Sequence, residues 1–286
     1  MYGITGANGQ LGRLVINNLL AMVPANQIIA VTRHPARLEE FAVQGVQLRE
    51  GDFNEPALLP VAFMGVKRLL IISTDDLTGG NRSEQHGQAI RAAKEAGVEH
   101  LFYTSAVNPD PDSENPLKRD HGLTENHLKE SGLKWTALRN NIYGDGLAGM
   151  LQPSLSNGKF FIPQGEGKTG YVAREDCARV AALILAGKPD LSGPVDITGP
   201  EALSYRDLGQ RISEVLGKSI EVEALSNAEL QAHYISNGLP PEAAGGLVWI
   251  NSMLAQGGFE VVSDTVKKVT GIDPTPVDVF LEPLKA

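Results

Sequence analysis

Thr5-Gly6-Ala7-Asn8-Gly9-Gln10-Leu11-Gly12 follows a short apolar start, Tyr2-Gly3-Ile4, and precedes a run with helical character, Leu14, Val15, Leu19 and Leu20. Strand, glycine loop and helix in that order predict a seat in which the pyrophosphate of a dinucleotide rests on a helix N-terminus. The spacing is Gly-x-x-Gly-x-x-Gly, not the commoner Gly-x-Gly-x-x-Gly. Gly6 lets the chain leave the strand in a tight turn. Gly9 removes a side chain where phosphate oxygens approach backbone N–H groups, and Gly12 is expected to let the helix pack close to the sheet. Asn8, Gln10 and Leu11 complete the loop and the first helical turn and belong to the same candidate seat.

The next strand, Gln27–Thr32, ends in Arg33-His34-Pro35. A loop at that place in a dinucleotide fold touches the adenosine ribose: an acidic residue accepts from a free 2′-hydroxyl, whereas an arginine pairs with a 2′-phosphate. No Asp or Glu stands at this strand end, the nearest being Glu39 in the following helix. Arg33, whose planar fork matches phosphate geometry, therefore points to NADP(H) rather than NAD.

The chain has 286 residues, enough for one large α/β domain or a nucleotide domain with a smaller appendage. Its net charge of −9, spread without long runs, makes a nucleic-acid or anionic-membrane partner unexpected. The single cysteine, Cys177, excludes an internal disulfide framework and fits a reducing compartment. No secretory signal precedes the first strand, and the longest apolar runs, such as Leu69–Ile72, are of strand length. A cytoplasmic protein is expected, and a homodimer is left open.

Through residue 145 strands and helices alternate. Strands are expected at Val46–Arg49, Arg68–Ser73, His100–Ser105 and Lys134–Arg139, with helices near 36–44, 55–64, 83–96 and 120–131. This rhythm predicts an α/β fold: a doubly wound parallel Rossmann sheet with a smaller C-terminal α/β lobe. The dinucleotide-binding domain is placed at 1–145, with later segments near 170–200 returning to it, and the substrate-binding lobe at 146–286. In that lobe the reading gives a helix at 150–156, an extended piece at 159–162, and an apolar helix at 176–185. A last strand follows at 195–198, then a helix at 203–217 capped by Ser204 with Asp207 three residues on.

Ligand chemistry in this architecture sits at the strand carboxyl ends. Asp52 and Phe53 suit the adenine amino group and ring. Ser73 and Thr74 border the ribose on the nicotinamide side. Tyr103, Thr104 and Ser105 end strand five, and Arg139-Asn140-Asn141-Ile142-Tyr143 ends strand six. Equally informative is what is missing. In a Tyr-x-x-x-Lys dyad the lysine lowers the phenol pKa so that it can shuttle a proton. Of the six tyrosines, none has Lys four residues on; Gly6, Val107, Leu147, Glu175, Gly209 and Gly238 stand there. Hydride transfer to a strongly electrophilic acceptor such as a quinone, with the coenzyme supplying the hydride and the protein supplying position, needs no such dyad. His86, His100, His121 and His127 show no metal-ligand spacing, so no metal is expected. His121 and Glu125, four apart, read as a helix-surface pair.

Thr5–Gly12, Val23-Pro24-Ala25-Asn26-Gln27-Ile28-Ile29-Ala30, Arg33, Gly51-Asp52, Ala92-Ala93-Lys94, Ala96-Gly97-Val98, Tyr103-Thr104, Thr124-Glu125 and Leu138-Arg139-Asn140 together resemble the NmrA-like atypical short-chain dehydrogenases. Within them the likeness is closest to the branch of quinone and triphenylmethane reductases. It covers nearly the whole chain and is densest before residue 145. It implies NADPH held by the glycine loop and Arg33, no Tyr-x-x-x-Lys dyad, and a flat aromatic or quinone substrate accepted in a cleft faced by Asn140 and Tyr143. Asn126 stands where the quinone-reductase branch has Lys, and 150–163 match poorly. The alternative reading is a non-catalytic NADP(H)-sensing regulator of the NmrA type.

Overall fold

The computed structural model describes residues 1–74 and 81–285. They form two compact units. The first comprises Met1–Asn140, Glu175–Asp196 and Thr265–Ile272; the second comprises Asn141–Arg174, Ile197–Asp264 and Asp273–Ala286.

In the first unit β1 (Tyr2–Ile4) leads through the glycine loop to α1 (Gln10–Leu20), then β2 (Ile28–Thr32), α2 (Glu39–Ala42), β3 (Gln47–Glu50), α3 (Leu59–Ala62) and β4 (Arg68–Ile71). The chain continues as α4 (Arg82–Glu95), β5 (His100–Ala106), α5 (Pro116–Glu130) and β6 (Lys134–Asn140). The second unit opens with α6 (Leu147–Leu151), β7 (Leu155–Ser156) and β8 (Lys159–Pro163). Then come α7 (Arg174–Leu185) and β9 (Gly193–Ile197), which return to the first unit and its sheet. The second unit resumes with α8 (Tyr205–Leu216), β10 (Glu221–Leu225), α9 (Asn227–Ser236) and α10 (Pro241–Ala255); α11 (Thr265–Thr270) belongs to the first unit and α12 (Val277–Leu281) to the second.

The seven-stranded sheet has the order β3-β2-β1-β4-β5-β6-β9. The pairs β2–β3, β1–β2, β1–β4, β4–β5 and β5–β6 are parallel. The strand order reverses between β1 and β4, so the crevice outside their carboxyl ends is the switch point at which such sheets bind ligands. Both faces of the central strands are buried, as a parallel sheet requires, while the edge strand β3 has no fully buried residue. Ile29, Val31, Leu69, Ile71, Leu101, Tyr103 and Ala137 pack on one side with Phe63, Ala89, Ile90 and Leu128, while Ile4, Ala30, Leu70, Phe102 and Leu138 alternate to the other. Burying a Leu, Ile or Phe contributes roughly 1.5–3 kcal/mol, so these two faces dominate the unit's stability. In the second unit β10, β8 and β7 form a small sheet, and Leu230, Tyr234, Ala244 and Val248 form a core with Phe161 and Leu225.

Several element bounds differ from the sequence expectation for identifiable reasons. The helix expected at 55–64 is a 3-10 turn at Pro56–Leu58 and the single turn α3, because Pro60 withholds the N–H that a continuous helix would direct to the Pro56 carbonyl. The helix expected at 36–44 is likewise a 3-10 turn, Pro35–Leu38, and the four-residue α2. Only Leu38 and Phe41 there are buried, too few apolar positions to hold a longer helix. α5 begins at Pro116, earlier than expected, because the Asn115 side chain accepts from the Leu117 and Lys118 N–H groups. The helix expected at 150–156 is instead α6, a 3-10 turn and β7. Asn157 (φ 51°) and Gly158 (φ 78°) make a tight hairpin turn into β8, with Ser156 opposite Lys159. Ser204 and Asp207 form a reciprocal capping box on α8.

Candidate functional site

A cleft of about 700 Å3 lies in the first unit at the carboxyl ends of β1, β2, β3 and β4. Its lining includes Gly6, Asn8, Gly9, Arg33, Asp52, Phe53, Ser73 and Thr74. It also includes residues that sequence reasoning did not single out, chiefly Thr32, His34, Arg37, Asn54 and Gln85.

Gly6 has φ +59°, a left-handed conformation costly for any residue with a Cβ. A Cβ on Gly12 would stand 2.5 Å from the Gly6 carbonyl oxygen and 2.8 Å from Ala7 Cα. Gly12 is therefore required by the loop folding back on its own helix, not by close packing on the sheet as expected from the sequence. Gly9 precedes α1 and makes no side-chain cap, and the first turn holds no acidic residue. No side-chain cap and no acidic residue therefore screens the positive end of the α1 dipole, which begins directly after the cleft residues Asn8 and Gly9; Gln10, Leu11 and Gly12 themselves do not line the cleft. Gln10 is exposed in that first turn, while Leu11 and Gly12 are buried beneath it.

Arg13 binds two loops together. Its guanidinium donates to Asn8 Oδ1 at 2.8 Å, to the Asn8 carbonyl at 3.2 Å and to the Arg37 carbonyl at 2.5 Å. It also pairs with Glu40. The glycine loop and the loop after β2 are held in fixed register, and Arg33, His34 and Arg37 stand exposed on the latter. Among the described residues no carboxylate lines that end of the cleft. Across from it, the Asp52 side chain accepts the Asn54 N–H at 2.9 Å and so shapes the turn after β3.

The strand-five trio does not line the cleft. Tyr103 is wholly buried, its hydroxyl 2.7 Å from His121 Nδ1 and 3.3 Å from His86 Nδ1. Burial raises its pKa strongly, which favours the neutral phenol. Thr104 Oγ1 accepts the Ser73 N–H at 2.8 Å. Ser105 donates to Glu125 at 2.8 Å. His121 and Glu125 are not a helix-surface pair: both are buried, and Glu125 takes a bidentate pair from Arg139 at 2.9 and 2.7 Å. Burial, then the nearby Arg82 cation, holds His121 well below the usual histidine range and His86 at about 3.

Asn140 is the buried last residue of β6, opposite Ala106. Tyr143 belongs to the second unit, where the Arg174 guanidinium lies 4.7 Å from its ring centre and Arg174 pairs with Asp145 at 3.4 Å. Among the described residues no group of His, Cys, Asp and Glu could hold a metal ion, and no helix is long and apolar enough to cross a membrane.

A glycine-cradled, uncapped helix start at the switch point, in a cleft large enough for a nucleotide, fits a dinucleotide coenzyme. A match to the NAD(P)H-binding family spans residues 6–188. Quinone oxidoreductase 2 of Escherichia coli is 35% identical over 95% of this chain and 94% of its own length. NAD(P)H azoreductase of Xenophilus azovorans is 28% identical over 100% and 97%. Among solved structures, the Escherichia coli NADPH-dependent quinone oxidoreductase complexed with NADPH superposes with TM-score 0.88 at 34% identity, covering 100% of both chains. The Citrobacter sp. triphenylmethane reductase complexed with NADP(H) gives 0.89 at 32%, again covering 100% of both. On this geometry and this likeness, the chain belongs to the NAD(P)H-binding, NmrA-like family of oxidoreductases.

Proposed function

We propose that this protein is an NADPH-dependent reductase that passes hydride to a quinone or a similarly electron-poor aromatic acceptor. The observation that carries the coenzyme choice is the β2 end of the cleft, where Arg33 and Arg37 stand exposed and none of the described lining residues is a carboxylate that could receive a ribose 2′-hydroxyl. The full-length likeness to reductases of quinones, azo compounds and triphenylmethane dyes supports the reaction class.

In this reading the α1 N-terminus, with Gly6, Asn8 and Gly9, takes the diphosphate. Arg33 and Arg37 take the 2′-phosphate, Asp52 and Phe53 the adenine, and Ser73 and Thr74 the ribose on the reactive side. The coenzyme supplies the hydride, and the protein's part is orientation. Tyr103, Thr104 and Ser105 act only through the residues they support. Asn140 and Tyr143 are proposed to position the acceptor.

Steady-state oxidation of NADPH and NADH, followed by absorbance against a panel of benzoquinones and naphthoquinones, tests this. Turnover with at least one quinone and a kcat/KM preference for NADPH are expected. Tight NADPH binding without turnover of any acceptor would overturn the enzymatic reading in favour of a coenzyme sensor.

A further inference from the structure

β4 ends at Ile71, and the next three backbone N–H groups each donate to a side chain from another part of the unit. Thr5 Oγ1 accepts from Ile72 at 3.0 Å, Thr104 Oγ1 from Ser73 at 2.8 Å, and His86 Nε2 from Thr74 at 3.0 Å. A hydroxyl can accept whichever way its own proton points. An imidazole nitrogen can accept only when it carries no proton. The bond from Thr74 therefore places the single ring proton of His86 on Nδ1.

The surroundings agree with that assignment. His86 Nδ1 lies 3.0 Å from Thr124 Oγ1, which spends its own proton on the Asp120 carbonyl at 2.7 Å and so is free to accept. The Tyr103 hydroxyl, 3.3 Å from the same nitrogen, is left to donate to His121 Nδ1. The chain of donors runs from the Thr74 backbone through His86 and Thr124 into α5. The same imidazole meets the Phe53 ring edge-on, with centres 6.4 Å apart. His86 is buried and lines no part of the cleft, yet it touches two of its walls. The Thr74 hydroxyl in turn donates to Gln85 at 3.2 Å, and Gln85 donates to Asn54 at 2.8 Å, closing a ring of cleft residues around this support.

We propose that His86 is a positioning residue of the cleft: a neutral imidazole, protonated on Nδ1, that holds the Thr74 backbone and the Phe53 ring where the coenzyme is seated. The proposal rests on the reading of the cleft as the NADPH seat, but its first test is independent of that reading. Long-range 1H–15N correlation spectra of histidine-labelled protein should show an unprotonated Nε2 and a protonated Nδ1 for His86 at neutral pH. A proton on Nε2 would set two donors face to face and overturn the proposal.

The second test is a pair of variants. His86→Phe keeps the ring but cannot accept, and should weaken NADPH binding about fivefold to tenfold, the scale of one net hydrogen bond. Its KM for NADPH should rise more than its kcat falls, and the Thr74 amide resonance should move. His86→Gln offers an amide oxygen near the Nε2 position and should stay within about twofold of the parent. Unchanged NADPH affinity in the Phe variant, or a Gln variant no better than Phe, refutes the positioning role. Should the Phe variant not fold, the same contrast is read between Gln and the shorter Asn. Failure of the unaltered protein to bind NADPH would instead remove the seat, and the tautomer measurement would still stand.

Discussion

Replacing Gly12 by Ala sets two effects against each other, and the structure decides between them. Alanine is the better helix former by roughly 1 kcal/mol in a helix interior, and by less in a first turn. The new Cβ, however, would lie 2.5 Å from the Gly6 oxygen, 2.8 Å from Ala7 Cα and 2.9 Å from the Ala7 carbonyl carbon. Carbon atoms rest near 3.5 Å apart, so the loop has to retreat by about 0.7 Å. All three obstacles are backbone, so no side chain can rotate away. Overpacking of that kind costs about 1–3 kcal/mol, and the clash outweighs the propensity gain. The displaced Gly6 carbonyl is also the acceptor of the Gly9 N–H at 2.9 Å, so the seat is distorted with it. The expected result is a loss of about 1–2 kcal/mol in urea unfolding followed by circular dichroism. NADPH affinity, followed by coenzyme fluorescence, should fall about tenfold or more, in keeping with the cost of misplaced binding groups. Gly9→Ala is the milder comparison, since its Cβ would stand 3.2 Å from the Gly6 oxygen, a tight contact relieved by a shift of a few tenths of an ångström, and its unfolding free energy should fall by less than that of Gly12→Ala. A Gly12→Ala protein as stable as the parent, or one that binds NADPH equally well, would refute the reasoning.

Three further outcomes are expected. Arg33→Ala should weaken NADPH by about 1.5–3 kcal/mol, the worth of a hydrogen bond to a charged group, and leave NADH nearly unchanged. Since Arg37 shares the same end of the cleft, Arg33→Ala with Arg37→Ala should exceed the sum of the single losses, and equal losses for both coenzymes would remove the assignment. Arg139→Ala strips buried Glu125 of its bidentate partner and should cost about 3–5 kcal/mol in chemical unfolding, against far less for an exposed pair such as Arg91–Glu84. The pH dependence follows from His86, whose folded pKa of about 3 is depressed below the unfolded value. Its contribution is complete above pH 6.5 and is lost as pH falls toward 3. Between pH 7 and 5 this amounts to about 2 kcal/mol, with His121 acting in the same direction. Urea titrations of the parent and His86→Gln should converge as pH drops, and parallel curves would show that the imidazole charges freely in the folded state.

The parts of the site legible in the sequence are those whose requirement is local. Gly6 needs a positive φ, Gly12 tolerates no Cβ, and a cation after β2 replaces a carboxylate; each is a property of one short stretch. Arg37 and Gln85 reach the cleft from a turn and a helix, so no periodicity marks them. The strand-five trio shows the limit of placing ligand residues simply at strand ends. Tyr103 points into the apolar layer with Leu101, and Thr104 and Ser105 spend their hydroxyls on Ser73 and Glu125. Their influence on the cleft passes through intermediaries that only tertiary structure supplies. His121 and Glu125 were invisible for a related reason: spacing identifies a shared helix face but not which face is covered. Two local signals bear on the misplaced helices: Pro60 interrupts the 55–64 run, and Asn157-Gly158 announces a hairpin directly after the stretch 150–156 that was expected to be helical.

The grip of Arg13 on Asn8, the Arg37 carbonyl and Glu40 has a consequence for retooling coenzyme preference. Swapping the segment after β2 for a ribose-diol type would orphan a half-buried guanidinium and slacken the diphosphate turn along with it. Residues 8–40 are therefore tied into one unit, and a switch toward NADH should succeed when Arg13 and Glu40 are exchanged together with Arg33, and stall when Arg33 is exchanged alone.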